Sequence, residues 1–188
     1  MTQVQDLEKH PRSSAGVLSR EQLRALIETD GRPLLSEMID LEAQLQPNGI
    51  DLTLREVSRY VGAGQIGTDN ADRVLPELIP LDFDANGWIT LAPGIYHVLY
   101  NEVVSLPEGL MALGRARSSL GRSGVTIHTA VWDAGYSGRS TSLLSVLNPA
   151  GFRVQRNARV MQLVFFGMAE ETVEGYAGTY QGENVKKG

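Results

Sequence analysis

The sequence contains no cysteine, which excludes disulfide bridges, thiolate metal ligands and cysteine nucleophiles. It also lacks a basic excess, since 17 Lys and Arg are outnumbered by 22 Asp and Glu. An acidic balance argues against a nucleic-acid-binding surface, although a few local arginines can still bind a nucleotide. No apolar run approaches the roughly 20 residues of a membrane span, and residues 1–14 lack the apolar stretch of a signal peptide. These absences predict a soluble, cytoplasmic protein that binds neither nucleic acid nor membrane.

The length of 188 residues suits a single domain, 1–188, with its own core. Residues 1–16 are predicted to be a loose arm. The capping box that starts at Ser19, with Gln22 at its third helical position, predicts a short helix that Gly31 and Pro33 end. From Ile50 the apolar residues alternate with polar ones, which predicts a half-buried strand. Further strands are predicted at 95–100, 110–113, 125–129, 142–147 and 160–166.

Short strands separated by Gly, Pro and Asn turns are typical of an all-β barrel, sandwich or jelly roll. Two segments do not fit the strand pattern. Residues 62–80 show no clear periodicity and are predicted to be an inserted loop. The tail, 174–188, has three glycines before Glu183 and is predicted to be a mobile lid.

Two clusters carry recognisable chemistry. Arg117, Ser118 and Ser119 follow a predicted strand, and hydroxyl, amide and guanidinium groups in such a place can bind phosphate. Asp133 and Tyr136 lie a short way downstream, and supply a candidate general base and a flat aromatic face. Taken alone, each cluster is equally consistent with an ordinary turn, because turns favour Ser, Asp and Gly.

Five segments in order remove that ambiguity: 46–52, 115–122, 129–138, 159–163 and 180–184. Together they resemble the motifs of the trimeric dUTPase and dCTP deaminase superfamily. Arg-Ser-Ser-Leu-x-Arg at 117–122 matches the deaminase branch at each fixed position. The resemblance implies a mainly β fold, a dUTPase-like distorted β-barrel or jelly roll with a short N-terminal helix. It also implies a homotrimer whose sites lie between subunits, with dUTP as substrate and Mg²⁺ as cofactor.

The same resemblance implies roles for individual residues. Asp133 would deprotonate the water that attacks the α-phosphorus, and Tyr136 would pack on the deoxyribose and exclude a 2′-hydroxyl. Asp51 would act through water on the metal–triphosphate complex or brace the site, with no residue binding the metal directly. The residues implied to grip the triphosphate are Arg117, Ser118, Ser119, Arg122, Arg159 and Gln162.

Base selection is implied for main-chain groups of a hairpin that contains Thr129, Ala130 and Val131. Ala130 replaces the glycine usual in dUTPases, and the following Trp132 replaces the usual isoleucine. In the tail, Tyr180 and Gln181 resemble the deaminase lid and would close over the substrate.

The two branches of the superfamily differ in one group. Deaminases need a glutamate as proton shuttle on the strand after the 133–138 turn, and no Asp or Glu occurs between Asp133 and Glu170. This absence favours hydrolysis of dUTP to dUMP and pyrophosphate. Two alternatives stay open at this stage. One is a dCTP deaminase, possibly bifunctional, and the other is a non-catalytic trimer that binds dUTP.

Overall fold

The computed structural model describes residues 16–185, so most of the predicted N-terminal arm lies outside the described residues. The helices are α1 (Arg20–Ile27), α2 (Leu41–Gln44) and α3 (Ser118–Arg122), with a 3-10 turn at Asn70–Asp72. None of the helices in 16–185 is long and apolar enough to cross a membrane. In chain order the strands are β1 (Gly16–Val17), β2 (Leu35–Ser36), β3 (Leu45–Gln46), β4 (Gly49–Val61), β5 (Glu77–Pro80), β6 (Trp88–Leu91), β7 (Gly94–Tyr100), β8 (Val103–Ser105), β9 (Leu110–Ala116), β10 (Val125–His128), β11 (Val131–Trp132), β12 (Ser137–Gly138), β13 (Thr141–Val146), β14 (Phe152–Gln155) and β15 (Arg159–Gly167).

One large antiparallel sheet dominates the fold and curls into a half-barrel. Its strand order is β10-β13-β7-β4-β15-β9-β11, and β1, β3 and β5 pair at its margins. Two smaller sheets, β12-β8-β2 and β14-β6, complete the structure. Strands form 43% and helices 12% of the chain, so the predicted mainly β, dUTPase-like class is confirmed.

The predicted N-terminal helix is also confirmed. The Ser19 hydroxyl accepts from the Gln22 amide at 3.4 Å, and the Gln22 side chain accepts from the Ser19 amide at 2.9 Å. Together these bonds satisfy two of the amide groups that a helix start leaves unpaired. Leu23, on the inner face of α1, is fully buried in the core.

Strand β4 is the centre of the sheet, and it departs from the predicted alternation. Every residue from Gly49 to Leu54 is buried, and β15 and β7 pair with this strand at its two edges. Asp51 and Thr53, the polar members of the pattern, are therefore inside rather than on a solvated face. A buried carboxylate needs partners, and those of Asp51 organise the candidate site.

The predicted loop at 62–80 was wrong in its last part. Strand β5 ends this segment and pairs with β4, with Val61 opposite Glu77 and Ser58 opposite Pro80. All four residues of β5 are exposed. A strand with no buried face has no reason to alternate apolar and polar residues, and so periodicity could not reveal it.

Candidate functional site

A buried carboxylate joins two of the predicted phosphate-binding arginines. Asp51 Oδ2 lies 3.0 Å from Arg117 Nε and 3.3 Å from Arg159 Nη1, and the Asp51 side chain is 3% exposed. Burial raises the pKa of the Asp51 carboxyl, and the charges of the two arginines oppose that rise. Asp51 therefore pairs with both guanidinium groups, and its role toward a bound substrate stays a prediction.

The sheet explains why these distant segments meet. On β15, Gln162 pairs with Asp51 of β4 on one side and with Arg115 of β9 on the other. Arg117 directly follows β9, and its amide donates to Val160 O at 3.1 Å. Three of the five sequence segments thus converge on one end of the sheet.

Gly49 shows how closely the strands approach at this end. A Cβ at position 49 would lie 2.6 Å from Leu163 O and 3.0 Å from Gln162 Nε2. Only a glycine fits this contact without moving the β15 backbone. The glycine of the 46–52 segment therefore allows Gln162 to lie against β4.

The remaining predicted phosphate ligands lie on α3. Ser118, Ser119 and Arg122 are exposed, while Leu120 between them is buried and anchors the helix on the core. Their polar groups are open to a ligand. Their contact with phosphate stays a prediction, and we call the set formed by these residues and Asp51 the phosphate half of the site: Asp51, Arg117, Ser118, Ser119, Arg122, Arg159 and Gln162.

The second group surrounds the 133–138 turn. Strand β11 pairs with β9, with Trp132 opposite Ala112, and Asp133 follows as the one exposed acid of the turn. The Tyr136 amide donates to Asp133 O at 3.1 Å, which closes the turn on Asp133. Asp133 also borders a cavity of about 340 Å³ whose lining includes Glu174. An exposed carboxylate beside a cavity is open to a water molecule, as general-base chemistry requires.

The predicted base-selecting residues connect the two groups. Thr129 and Ala130 lie between β10 and β11, and the Thr129 hydroxyl donates to Gly114 O at 3.4 Å. Val131 pairs with Leu113 of β9 and is exposed. The structure thus places this segment beside the middle of β9.

Tyr136 is more enclosed than a sugar platform would require. It is 5% exposed, its ring meets the edge of Tyr176 with centroids 5.8 Å apart, and its hydroxyl donates to Glu183 Oε1 at 2.9 Å. Burial, with the nearby Glu183 charge, raises the pKa of Tyr136. Burial also raises the pKa of Glu183, while the bond from Tyr136 opposes that rise. Deoxyribose contact by Tyr136 stays a prediction, and it requires a ring face that this arrangement largely covers.

The described part of the tail, residues 174–185, is hydrogen-bonded to the 133–138 turn. The Tyr176 amide donates to Ala134 O at 2.7 Å, and the Gly182 amide donates to Ser137 O at 2.7 Å. Tyr180 is partly exposed, and the Arg73 guanidinium lies 5.9 Å from its ring centre. The structure places Tyr180 and Gln181 at this turn, and whether the tail moves stays a prediction.

Sequence reasoning missed two buried charged residues. Glu102 is fully buried and accepts from Gln44 Nε2 at 2.6 Å, from the Thr53 hydroxyl at 2.6 Å and from the Thr53 amide at 3.0 Å. Arg139 is 5% exposed and pairs with Glu37 at 2.7 Å. Two features of the sequence could have pointed to them. Glu102 lies between two apolar strands, and Arg139 directly follows the 133–138 turn.

The family model for the dCTP deaminase-like family matches residues 17–168. The chain belongs to that family.

Within the dCTP deaminase-like family, two curated relatives illustrate the likeness. Probable deoxyuridine 5′-triphosphate nucleotidohydrolases from Methanosarcina mazei and Archaeoglobus fulgidus are 51% and 47% identical to this chain over 169 residues each. Each alignment covers 90% of this chain and 98% of the relative. Among solved structures, the 2′-deoxycytidine 5′-triphosphate deaminase of Agrobacterium tumefaciens is 26% identical with a TM-score of 0.62. The match covers 81% of this chain, which spans about half (48%) of that deaminase's length.

Strand β13 is where the family's deaminases carry their glutamate, by the resemblance described above. Here Leu143 pairs with His128 on one side and with His97 on the other, and Ser145 is buried. Neither side chain can carry a proton as a carboxylate does. The structure therefore supplies no acid on this strand.

Proposed function

We propose that this member of the dCTP deaminase-like family hydrolyses dUTP to dUMP and pyrophosphate. The single observation that carries the proposal is the near-complete alignment, at about half identity, with relatives named as probable deoxyuridine 5′-triphosphate nucleotidohydrolases. The absence of an acid on β13 supports hydrolysis over deamination. The exposed carboxylate of Asp133 supports the same choice, because hydrolysis needs a base that water can reach.

In the proposed reaction, Asp133 accepts a proton from a water molecule as the oxygen of that water forms a bond to the α-phosphorus. The bond between the α-phosphorus and the bridging oxygen breaks, and pyrophosphate leaves with that oxygen. Arg117 and Arg159, held side by side by Asp51, offset the charge of the phosphates. Ser118, Ser119, Arg122 and Gln162 are proposed as further phosphate ligands.

Mg²⁺ is the proposed cofactor, and the side chains available to bind it indicate how it would be held. Among residues 16–185, no group of three or more His, Asp or Glu side chains could hold a metal ion. Mg²⁺ commonly keeps several waters and binds substrate phosphates with only one or two carboxylates. That coordination would suit this chain, in which the triphosphate would hold the ion and Asp51, paired with the two arginines, would reach it only through water. Bound there, Mg²⁺ would neutralise phosphate charge.

We also propose a homotrimer, because one chain keeps the two parts of its site apart. Trp132, next to Asp133, pairs with Ala112, and Arg117 lies five positions further along the same strand direction. At ~3.4 Å per residue, the backbone of Arg117 lies roughly 17 Å from the Trp132–Ala112 pair. Asp133 follows Trp132 on the side of that pair away from Arg117. A base at Asp133 and an arginine at Arg117 of one chain would not meet at one α-phosphate. A complete site would form where the 133–138 turn of one copy lies beside the phosphate half of another. We propose that this trimer is cytoplasmic.

Replacement of the proposed base tests the function. Asp133→Asn keeps the side-chain size but cannot accept a proton, and we expect turnover to fall by about 10²–10⁴-fold. Affinity for a non-hydrolysable α,β-imido analogue of dUTP should stay within about tenfold, because the phosphate half is unchanged. Pyrophosphate release and calorimetry measure the two quantities.

The matched control is Glu108→Gln, an exposed acid outside the proposed machinery. Hydrolysis of dUTP by Asp133→Asn at close to the wild-type rate would show that another group activates the water. A wild-type protein that binds the analogue without hydrolysing dUTP would instead establish the non-catalytic alternative.

A further inference from the structure

Glu102 is a buried acid whose carboxylate contacts all lie within one chain. Its two oxygens accept three bonds, from Gln44 Nε2, from the Thr53 hydroxyl and from the Thr53 amide. Glu102 is 0% exposed, and Gln44 and Thr53 are 1% exposed each. Neither a substrate nor another copy of the chain can reach such groups, so Glu102 does not touch a reacting atom. A carboxylate in a core is costly unless it is fully hydrogen-bonded, and here its bonds lead to the candidate site.

Asn101 sets the direction of the bond between Thr53 and Glu102. Asn101 Nδ2 donates to the Thr53 hydroxyl at 2.9 Å, so the single proton of that hydroxyl is left to donate to Glu102. The same Asn101 amide donates to Asn157 Oδ1 at 3.0 Å. Hydrogen bonds that run in one direction strengthen each other in a low-dielectric interior. Thr53, two residues after Asp51 on β4, is therefore held at both its amide and its hydroxyl.

Gln44 extends this network to the backbone of Asp51. Gln44 Nε2 donates to Asp51 O at 2.9 Å and to Glu102 Oε1, as its two N–H groups allow. Gln44 Oε1 accepts from the Asp40 amide at 2.9 Å, at the start of α2. Each polar atom of the Gln44 side chain is thus bonded, and one of those bonds holds Asp51 directly.

Helix α2 connects the same network to Arg159. Arg159 Nη1 donates to Ala43 O in α2, and the same nitrogen lies 3.3 Å from Asp51 Oδ2. Arg159 also lies opposite Thr53 in the register of β15 and β4. The Arg159 guanidinium therefore contacts both α2 and β4, and the Gln44 side chain joins these two elements.

We propose that Glu102 and Gln44 are positioning residues for the arginines of the phosphate half, and that they act by holding Asp51 in place. A shift of Gln44 would move the Asp51 backbone, and the carboxylate that pairs with Arg117 and Arg159 would move with it. This inference rests on the proposed hydrolysis of dUTP, and it assigns two buried residues to the phosphate half of that site. Neither residue lies in any of the five sequence segments.

A double-mutant cycle with Asp51 distinguishes positioning from a general structural role. Gln44→Leu keeps a similar side-chain size but removes all three bonds of the amide, and we expect kcat/KM for dUTP to fall about tenfold. In an Asp51→Asn protein the arginines have already separated, so the same change should lower kcat/KM by less than about threefold. Independent effects would multiply instead, and the full loss in both backgrounds would overturn the proposal.

Glu102→Gln tests the carboxylate at the centre of the network. The amide has one acceptor oxygen, and in either orientation its NH₂ group faces a donor, the Thr53 amide or Gln44 Nε2. We expect a loss of about tenfold in kcat/KM in the wild-type background and of less than about threefold in Asp51→Asn. Equal losses in the two backgrounds would show that Glu102 acts on the fold alone and would overturn its positioning role.

Two substitutions at Thr53 keep the test decisive if one of the other variants does not fold. Thr53→Val keeps the side-chain shape without the hydroxyl, whereas Thr53→Ser keeps the hydroxyl and loses a methyl group. Positioning through Glu102 predicts the higher kcat/KM for Thr53→Ser, and a higher kcat/KM for Thr53→Val would overturn it. The matched control is Gln155→Leu, an exposed glutamine of β14 that donates to Asn86 O at 3.0 Å, which should keep the wild-type kcat/KM.

Pyrophosphate release gives kcat/KM, and urea unfolding shows which variants are folded under the assay conditions. A wild type that does not hydrolyse dUTP refutes the proposed function, and it does so before any variant is compared. Calorimetric affinity for the α,β-imido analogue then replaces kcat/KM in the same cycle, and the same outcomes decide the positioning role. A wild type that also fails to bind the analogue refutes both.

Discussion

The substitution Asp51→Asn would remove the negative charge that holds Arg117 and Arg159 together. Loss of one partner from a fully buried ion pair costs about 3–5 kcal/mol, whereas a surface pair is worth about 0–1 kcal/mol. The Asp51 side chain is 3% exposed but the arginines are 31% and 35% exposed. Water therefore screens part of the interaction, and we expect a loss of about 1–3 kcal/mol in the free energy of unfolding.

The same change should reduce activity. Without the carboxylate, the two guanidinium groups repel each other and separate, and a displacement of ~1 Å in a positioning group can cost ~10²-fold. We therefore expect kcat/KM for dUTP to fall by about 10- to 100-fold. Urea unfolding at a fixed protomer concentration measures stability, and pyrophosphate release measures activity.

Glu56→Gln is the matched control, because its pair with Arg55 at 3.4 Å lies on the surface. It should change stability by less than about 0.5 kcal/mol. An Asp51→Asn protein as stable and as active as the wild type would refute the bracing role. A protein of wild-type stability that has lost activity would instead show that Asp51 acts on the substrate or its metal ion.

Three further predictions follow from the acids and from the separated parts of the site. Incubation with dCTP and Mg²⁺ should yield no uracil nucleotide by chromatography, because β13 carries no acid. Formation of dUTP or dUMP at a rate comparable to dUTP hydrolysis would contradict this. Sedimentation equilibrium should give the mass of a trimer, and a monomer mass at micromolar concentration would contradict the shared site. Burial raises the pKa of Glu102 above its ordinary 4.5, so its contribution to stability is full below the unfolded pKa and is lost as pH rises through the folded pKa. The stability advantage of the wild type over Glu102→Gln should therefore shrink as pH rises above 4.5, and a difference that stays constant with pH in urea unfolding would contradict this.

Local signals predicted much of this fold. The capping box at Ser19 and the turn residues between strands act within a few positions, and the structure has the helix and the mainly β class that they indicated. The strand at β5 could not be predicted, because pairing with β4 alone produced it and neither of its faces meets a core. Sequence periodicity reports burial, and so it does not detect a strand without burial.

The candidate site shows the same limit at the level of side chains. The resemblance could group Asp51, Arg117 and Arg159 by motif, but only the sheet register brings all three to one carboxylate oxygen. Arg139 and Glu102 lie outside every motif. Their partners lie far along the chain: Glu37 is 102 positions from Arg139, and Thr53 is 49 positions from Glu102. A local sequence pattern cannot reveal such pairs.

The distance along β9 has a consequence for mixed assemblies. In a closed ring with head-to-tail contacts, each copy would lend its turn to one neighbour and its arginines to the other. A copy that carries only Asp133→Asn would then silence one catalytic centre, whereas a copy that also lacks Arg117 would silence two. Titration of wild-type protein with the doubly substituted copy should lower activity more steeply than titration with either single variant. The fraction of activity lost would then exceed the fraction of substituted subunits.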